Sequence, residues 1–507
     1  MPIVQTGSSA AVTVSAGKSL KVSADGEAVV HRLSGLPDAP YSSDRILAGV
    51  REYQKRDLPF SVRIVAISGS VSYEEKFPDV QAGDVFFARN AGGGISAVVD
   101  AASGRRMSLG VGRPLDRNIN LPGDSRTANS IGTSGGVLFE NYGHGAHYGF
   151  LTGGRVRISP ERLSATPGHT TAQWLANMQA YIAAGDVFMN LIGVNDRLAS
   201  NNFSLTRSKR NVETGLRMQL DAGKIPIVIA ELPTFGEYTL TGQQLINHIA
   251  MHEWYLSHVP DYGCIVVDPW PLMAAADYVD GLHPAQPGAL KVAKCGAAPL
   301  IDLFGVPLSL PTYDEQYNAT LAPGGWLTAN PLMLGTAGTL SASANGTGPV
   351  ADGWNVAGSA WTGATVRCFK EANPDGGEYQ GFELGGTPSA AGSTLILQYT
   401  MLLANLSGGD IIRGLAKTLW ENLSGVGGVS IDFRVVDGAT TYYKSLDRYA
   451  EGFQMAPGPE SGPQETPYYT VTGTETEIKL RAVVYGCQGV PIRGVVKVGN
   501  FAAEKVL

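Results

Sequence analysis

The stretch Leu121-Pro122-Gly123-Asp124-Ser125-Arg126 decides how the middle of this 507-residue chain is read. Ahead of it, Asn118-Ile119-Asn120-Leu121 alternates polar and apolar residues at period two, which predicts a short buried strand. Gly123 lets the backbone turn where that strand ends, and Ser125 follows at the turn. A serine so placed presents its hydroxyl and its own N–H at the carboxyl edge of a parallel sheet, where open α/β sheets keep their sites. Turns favour glycine, aspartate and serine in any protein, so the tripeptide gains meaning only from a base and oxyanion donors downstream.

Outward from that point, residues 113–306 alternate predicted strands with predicted helices. The strands are 118–121, 155–158, 187–192, 225–230 and 264–267; the helices are roughly 170–184, 207–222, 241–258 and 286–303. Thr241-Gly242-Gln243-Gln244 is a capping-box pattern for the start of the third helix. Strands alternating with helices of this length imply a parallel sheet with right-handed crossovers, here a small doubly wound domain of five strands.

The flanks differ. Residues 1–112 read as β-rich, with strands expected at 12–14, 20–22, 60–65 and 84–87, a turn at Ala16-Gly17, and a structural or attachment role. Gly17-Lys18-Ser19 resembles the end of a phosphate loop, but the motif needs a glycine where Val12 stands. From Pro307 the chain turns rich in Gly, Ser and Thr, a linker or extended arm to about residue 345. Alternating runs such as Thr394-Leu395-Ile396-Leu397 and Ile478-Lys479-Leu480-Arg481 then suggest a β-sandwich over 346–507.

Composition narrows the function classes. Roughly 7% glycine would give about 36 residues; the 64 present fit a turn-rich protein with much β structure. A net charge of −7 with no basic run argues against nucleic acid as a partner. Met1 is followed by Pro-Ile-Val-Gln-Thr-Gly, so no signal peptide is expected, and no apolar run is long enough to span a membrane. Cys264, Cys295, Cys368 and Cys487 lack a C-x-x-C spacing and read as four ordinary thiols of a protein made in a reducing compartment, with no metal cluster.

Three further stretches fall where they could meet Ser125: Pro167-Gly168-His169-Thr170-Thr171, a glycine turn that opens a helix; Gly193-Val194-Asn195-Asp196, at the end of the third strand; and Asp280-Gly281-Leu282-His283, after the last strand. Together with Gly123-Asp124-Ser125 they resemble, in order, the four blocks of the SGNH subgroup of GDSL esterases and lipases, over residues 117–303. The resemblance implies a flavodoxin-like hydrolase of three α/β/α layers. It also implies Ser125 as nucleophile, His283 as base, Asp280 as the group that orients His283, and an oxyanion hole from the N–H groups of Ser125 and Gly168 with the Asn195 amide. The chemistry needs these types: a hydroxyl must lose its proton to attack, an imidazole can take and return it near neutrality, and the tetrahedral oxyanion needs preorganised donors. No metal or cofactor is required.

Two features depart from the family pattern. Arg126 stands where an apolar residue is common and is expected to alter the site entrance; residues 132–147 are glycine-rich where a helix is expected. The remaining candidates have plainer readings. Asp196 is expected to hold its own turn, His169 to sit on the surface at a helix start, His144 and His147 to be exposed on a loop, and His248 and His252 to be packing or surface groups rather than metal ligands. Asp280 could alternatively cap the following helix. Trp326, Trp354, Trp361 and Trp420 could stack on sugars, but core positions are the expectation.

A β-rich segment, a hydrolase and a jelly-roll-like sandwich in this order resemble bacteriophage tail-spike and tail-fibre proteins that deacetylate host polysaccharide. That organisation implies an acetylated bacterial surface polysaccharide as substrate, a homotrimer attached to other virion tail proteins, and a place in the virion tail. A general acyl-sugar esterase and a non-enzymatic tail adhesin on a hydrolase scaffold are the alternatives.

Overall fold

The computed structural model describes, in residues 1–114, the strands alone. From 115 to 506 it describes the chain apart from 129, 131, 135–136, 140–142, 160–161, 199–200, 202 and 446–453. The fold is mixed, α/β together with several β-sheets, and the chain separates into two compact units, Met1–Pro114 and Leu115–Leu507.

In the first unit, five strands hydrogen-bond in the order Ile3–Gln5, Ser70–Lys76, Ser19–Leu33, Phe60–Ala66, Ser9–Val14, and Pro40–Tyr53 also pairs with Ser19–Leu33. Val85–Arg89, Ile95–Asp100 and Arg105–Ser108 form a separate antiparallel meander. The sequence neighbours Ser9–Val14 and Ser19–Leu33 are not paired with each other; Ser9–Val14 pairs with Phe60–Ala66 instead. The turn expected at Ala16-Gly17 lies outside the described residues.

The second unit starts with the α/β layer. Val187–Asn190, Ile225–Ile229 and Ile265–Val267 form a three-stranded parallel sheet. The first of these is buried at every residue, as a parallel strand covered on both faces must be. The two strands expected before it do not form regular ladders. Residues 118–123 join the sheet only through isolated parallel bridges, Asn120 to Phe188 and Gly123 to Leu191, and Asn118 bridges onward to Arg157. The reason is local: Pro122 has no N–H to give, and the Leu121 N–H goes to the Arg162 carbonyl at 2.9 Å.

The helices fall where the periodicity puts them, at Thr171–Ala176 with Met178–Ala184, Leu205–Asp221, Gly242–His258 and Gln286–Leu303. The expected capping box at Thr241 does not form, since the Thr241 side chain makes no cap bond. A box forms instead at Thr170, whose side chain accepts from Gln173 N while Gln173 answers on the Thr170 N–H. Among the described residues no helix is long and apolar enough to cross a membrane.

The C-terminal part is a β-sandwich of a six-stranded and a seven-stranded sheet. Its core takes in Trp354, Trp361 and Trp420, each about 1–2% exposed, and Trp326 is buried against Leu415 and Ala502. None of the four is available as a sugar platform. The same core includes Phe150, whose ring stacks on Trp420 at 4.7 Å, so sandwich and α/β layer share packing. Residues 307–345 run along both: Leu308 N–H bonds to the Gly153 carbonyl, and Leu327 N–H to that of Ala503. All four cysteines are free thiols.

Replacing Trp420 with alanine removes the stacked pair and opens a cavity at this seam. The expected cost is about 3–5 kcal/mol of unfolding free energy, read from urea melts of the purified protein.

Candidate active site

The site begins with a short loop whose shape is set by one aspartate. Tyr278 and Pro284 form an antiparallel bridge, and the Val279 N–H bonds to the His283 carbonyl at 2.8 Å, closing a hairpin. Inside it, Asp280 Oδ1 accepts the backbone N–H groups of Leu282 (2.9 Å) and His283 (2.8 Å), an Asx turn. Gly281, at φ +92°, lies against the Phe235 carbonyl, a conformation and an approach that a Cβ would forbid.

The turn leaves Asp280 Oδ2 free to receive the imidazole, and His283 Nδ1 stands 2.6 Å from it. A carboxylate can only accept, so Nδ1 carries the proton and Nε2 is an acceptor. Ser125 Oγ lies 2.8 Å from that Nε2, across 158 residues of chain. Burial alone would raise the Asp280 pKa, but hydrogen bonds from the backbone and ring of His283 and from Leu282 hold it below the ordinary 3.8. The side chains of His283 and Asp280 are 21% and 35% exposed, so this corner opens to solvent. Tyr238, half-buried, stands edge-on to the His283 ring at 6.3 Å.

Ser125 opens a single helical turn, Ser125–Ala128, where the first N–H groups have no carbonyl of their own helix to meet. Gly168, at φ +77°, is the third residue of a turn closed by His169 N–H on the Thr166 carbonyl (3.2 Å), with Pro167 before it, the signature of a type II turn. Thr166 N–H bonds to the Gly123 carbonyl at 3.1 Å, which holds this turn beside the Ser125 loop. Asn195 lies in the tight turn Val194–Asp196 and its Nδ2 donates to the His169 carbonyl at 2.9 Å, using one of two amide protons. The four sequence blocks are thus brought together, each bonded to a neighbour.

Several expectations need correction. Arg126 does not reach the entrance. It is 1% exposed and points inward, with Nε and Nη2 on the two oxygens of Asp124 (3.0 and 2.7 Å) and Nη1 on Glu231 Oε2 (2.9 Å). Arg197 meets the other Glu231 oxygen, Oε1, at 3.1 Å and also donates to the Gly193 carbonyl. Burial opposes the Glu231 carboxylate, but Arg126 and Arg197 prevail and lower its pKa. Glu231 and Arg197 were absent from the sequence reading. An acidic residue directly after an apolar strand, at the sheet's carboxyl edge, was the available signal.

His144 and His147 are buried, at 2% and 4% exposure, because their loop packs down on the turn after Ser125, with Gly145 N–H on Ser130 Oγ at 2.9 Å. His144 lies within hydrogen-bonding reach of Thr127 Oγ1 (3.1 Å) and the Tyr148 hydroxyl (3.0 Å); burial, with the Arg126 charge nearby, pushes its pKa down to about 3. In the glycine-rich segment 132–147, where the family pattern has a helix, Gly132–Ser134 pairs with Val137–Phe139 before this loop. Asp196 does not hold its own turn with its side chain as expected: the carboxylate accepts the Thr171 N–H (2.8 Å) and hydroxyl (2.6 Å) and the Ser208 hydroxyl (2.5 Å), tying the third block to the helices on either side. His169 is half-buried; His248 is buried on the Leu232 carbonyl, and His252 pairs with Asp268. The arrangement as a whole can deliver a deprotonated hydroxyl to an electrophilic carbon.

No family model matches the chain, and no curated protein matches it. Among solved structures, a GDSL-like lipase from Bacteroides thetaiotaomicron is 15% identical, over 36% of this chain and 87% of its own, at a TM-score of 0.28. An active-site mutant of a family two carbohydrate esterase from Clostridium thermocellum is 12% identical, over 59% of this chain and 93% of its own, at 0.27. The enzymatically active domain of bacteriophage CBA120 tailspike protein 4 is 11% identical, over 31% of this chain and 20% of its own, at 0.22. These are partial likenesses at low identity.

Proposed function

We propose that the chain is a serine ester hydrolase acting through an acyl-serine intermediate. The observation that carries the reading is the unbroken run from Ser125 Oγ to His283 Nε2 (2.8 Å) and from His283 Nδ1 to Asp280 Oδ2 (2.6 Å). Ser125 Oγ attacks the acyl carbon as its proton passes to Nε2. Asp280 keeps the imidazole in the tautomer that can accept it and stabilises the cation that results. The N–H groups of Ser125 and Gly168 and the Asn195 amide are assigned to the oxyanion. His283 then protonates the departing alcohol, and water repeats the sequence on the acyl-serine to release the acid.

The substrate assigned is an O-acetyl group on a bacterial surface polysaccharide. The open corner supports a bulky alcohol with a small acyl group, since His283 and Asp280 are partly exposed. Tyr238 beside His283 offers an aromatic surface to a sugar's C–H face. The order of a β-rich unit, this site and a sandwich supports extending the proposal to a trimeric phage tail protein. The rival, an adhesin on a hydrolase scaffold, requires no turnover at all.

With p-nitrophenyl acetate, Ser125→Ala and His283→Ala are expected to lower kcat at least about 10³-fold. Asp280→Asn should lower it on the order of 10²–10⁴-fold. Equal slow rates for wild type and Ser125→Ala would favour the adhesin. Acetyl esters should be cleaved faster than long-chain esters; the reverse order in a chain-length series rejects the short-acyl assignment. Acetate release from purified O-acetylated polysaccharide should show a KM raised several-fold by Tyr238→Ala, with turnover of the aryl acetate unchanged.

A further inference from the structure

Behind Ser125 lies a set of charges that the mechanism above does not use. Asp124, Arg126, Arg197 and Glu231 are each at most 2% exposed, and their two positive and two negative charges balance. Glu231 follows the strand Ile225–Ile229, outside all four sequence blocks. One carboxylate oxygen accepts from Arg126, the residue after the nucleophile, and the other faces Arg197, whose guanidinium holds the Gly193 carbonyl two residues before Asn195. Gly193, at φ +133°, is placed so that a Cβ would collide with the Glu231 carboxylate, so the loop carrying Asn195 closes directly on this acid.

We infer that Glu231 is a positioning residue that locks the nucleophile loop and the Asn195 loop into one register through two arginines. This rests on the hydrolase reading above and adds to it. A buried carboxylate between two guanidinium groups has little freedom, since any shift leaves a charge unpaired away from water. The distance from nucleophile to oxyanion donor therefore follows the Glu231 geometry, and misplacement of about 1 Å can cost on the order of 10²-fold in rate.

The test is kinetic, with p-nitrophenyl acetate and variants shown to be folded by their melting curves. Glu231→Gln keeps the shape but removes the charge; it is expected to lower kcat about 10–100-fold with KM within about twofold. In a double-mutant cycle, Asn195→Ala alone should cost about 10²–10³-fold, but about tenfold or less in the Glu231→Gln background, because the oxyanion loop is already out of register. Fully multiplying losses, or a folded Glu231→Gln enzyme with wild-type kcat, would overturn the inference. Should Glu231→Gln not fold, Glu231→Asp keeps the charge one methylene short, and the same cycle with Asn195→Ala decides. Ser125→Ala run alongside separates the two levels: its full activity would sink the hydrolase reading itself, whereas its inactivity with a multiplicative cycle sinks only the role of Glu231.

Discussion

A carboxylate enclosed by two guanidinium groups, at the carboxyl end of a buried strand, is the constraint on which the centre of this molecule turns. Glu231 alone would be prohibitively placed, because an isolated charge in such surroundings shifts its pKa and neutralises. With Arg126 and Arg197 both in ion-pair contact and Asp124 completing the balance, the four charges offset one another. Such clusters are poor sources of net stability compared with apolar packing, yet removing one member is severe. What they supply is geometry, and these four fix the backbone on both sides of Ser125.

Around that centre, connections between loops follow the same logic of bonds that leave few alternatives. Thr166 ties the Pro167-Gly168 turn to Gly123, Asn195 ties itself to His169, and Asp196 ties its turn to the start of the next helix. The loop bearing His283 is shaped by Asp280 before Asp280 ever meets the imidazole, since one oxygen orders the backbone and the other receives Nδ1. One side chain thus sets both where the histidine is and which of its nitrogens faces Ser125. The rim itself stays open to solvent, while the shared packing of Phe150 and Trp420 joins the α/β layer to the sandwich.

Much of this could be read along the chain. The four short blocks stand out because glycine turns, a serine, an amide and an Asp-x-x-His spacing all leave local signals. Helices with clear periodicity fall within a few residues of their expected bounds. Other features escaped. Thr241 has the residues of a capping box but not its bonds, whereas Thr170 has both, a difference that depends on how each chain segment enters its helix. The strands at 118–121 and 155–158 have the right alternation, yet Pro122 and the claim of Arg162 on the Leu121 N–H leave only bridges.

The amino-acid sequence by itself determined the helices, the three strands of the parallel sheet and the sandwich that follows, because each of these depends on local turn chemistry and periodicity; Ser125, Asp280 and His283 stood out through the resemblance of four short blocks to the SGNH pattern. Only the tertiary structure decided where the charges of Arg126, Arg197 and Glu231 go, and that His144 is buried rather than exposed. Those outcomes depend on which groups share a space once distant segments pack, and a buried charge finds its partner by proximity in three dimensions, a quantity that spacing along the chain does not encode.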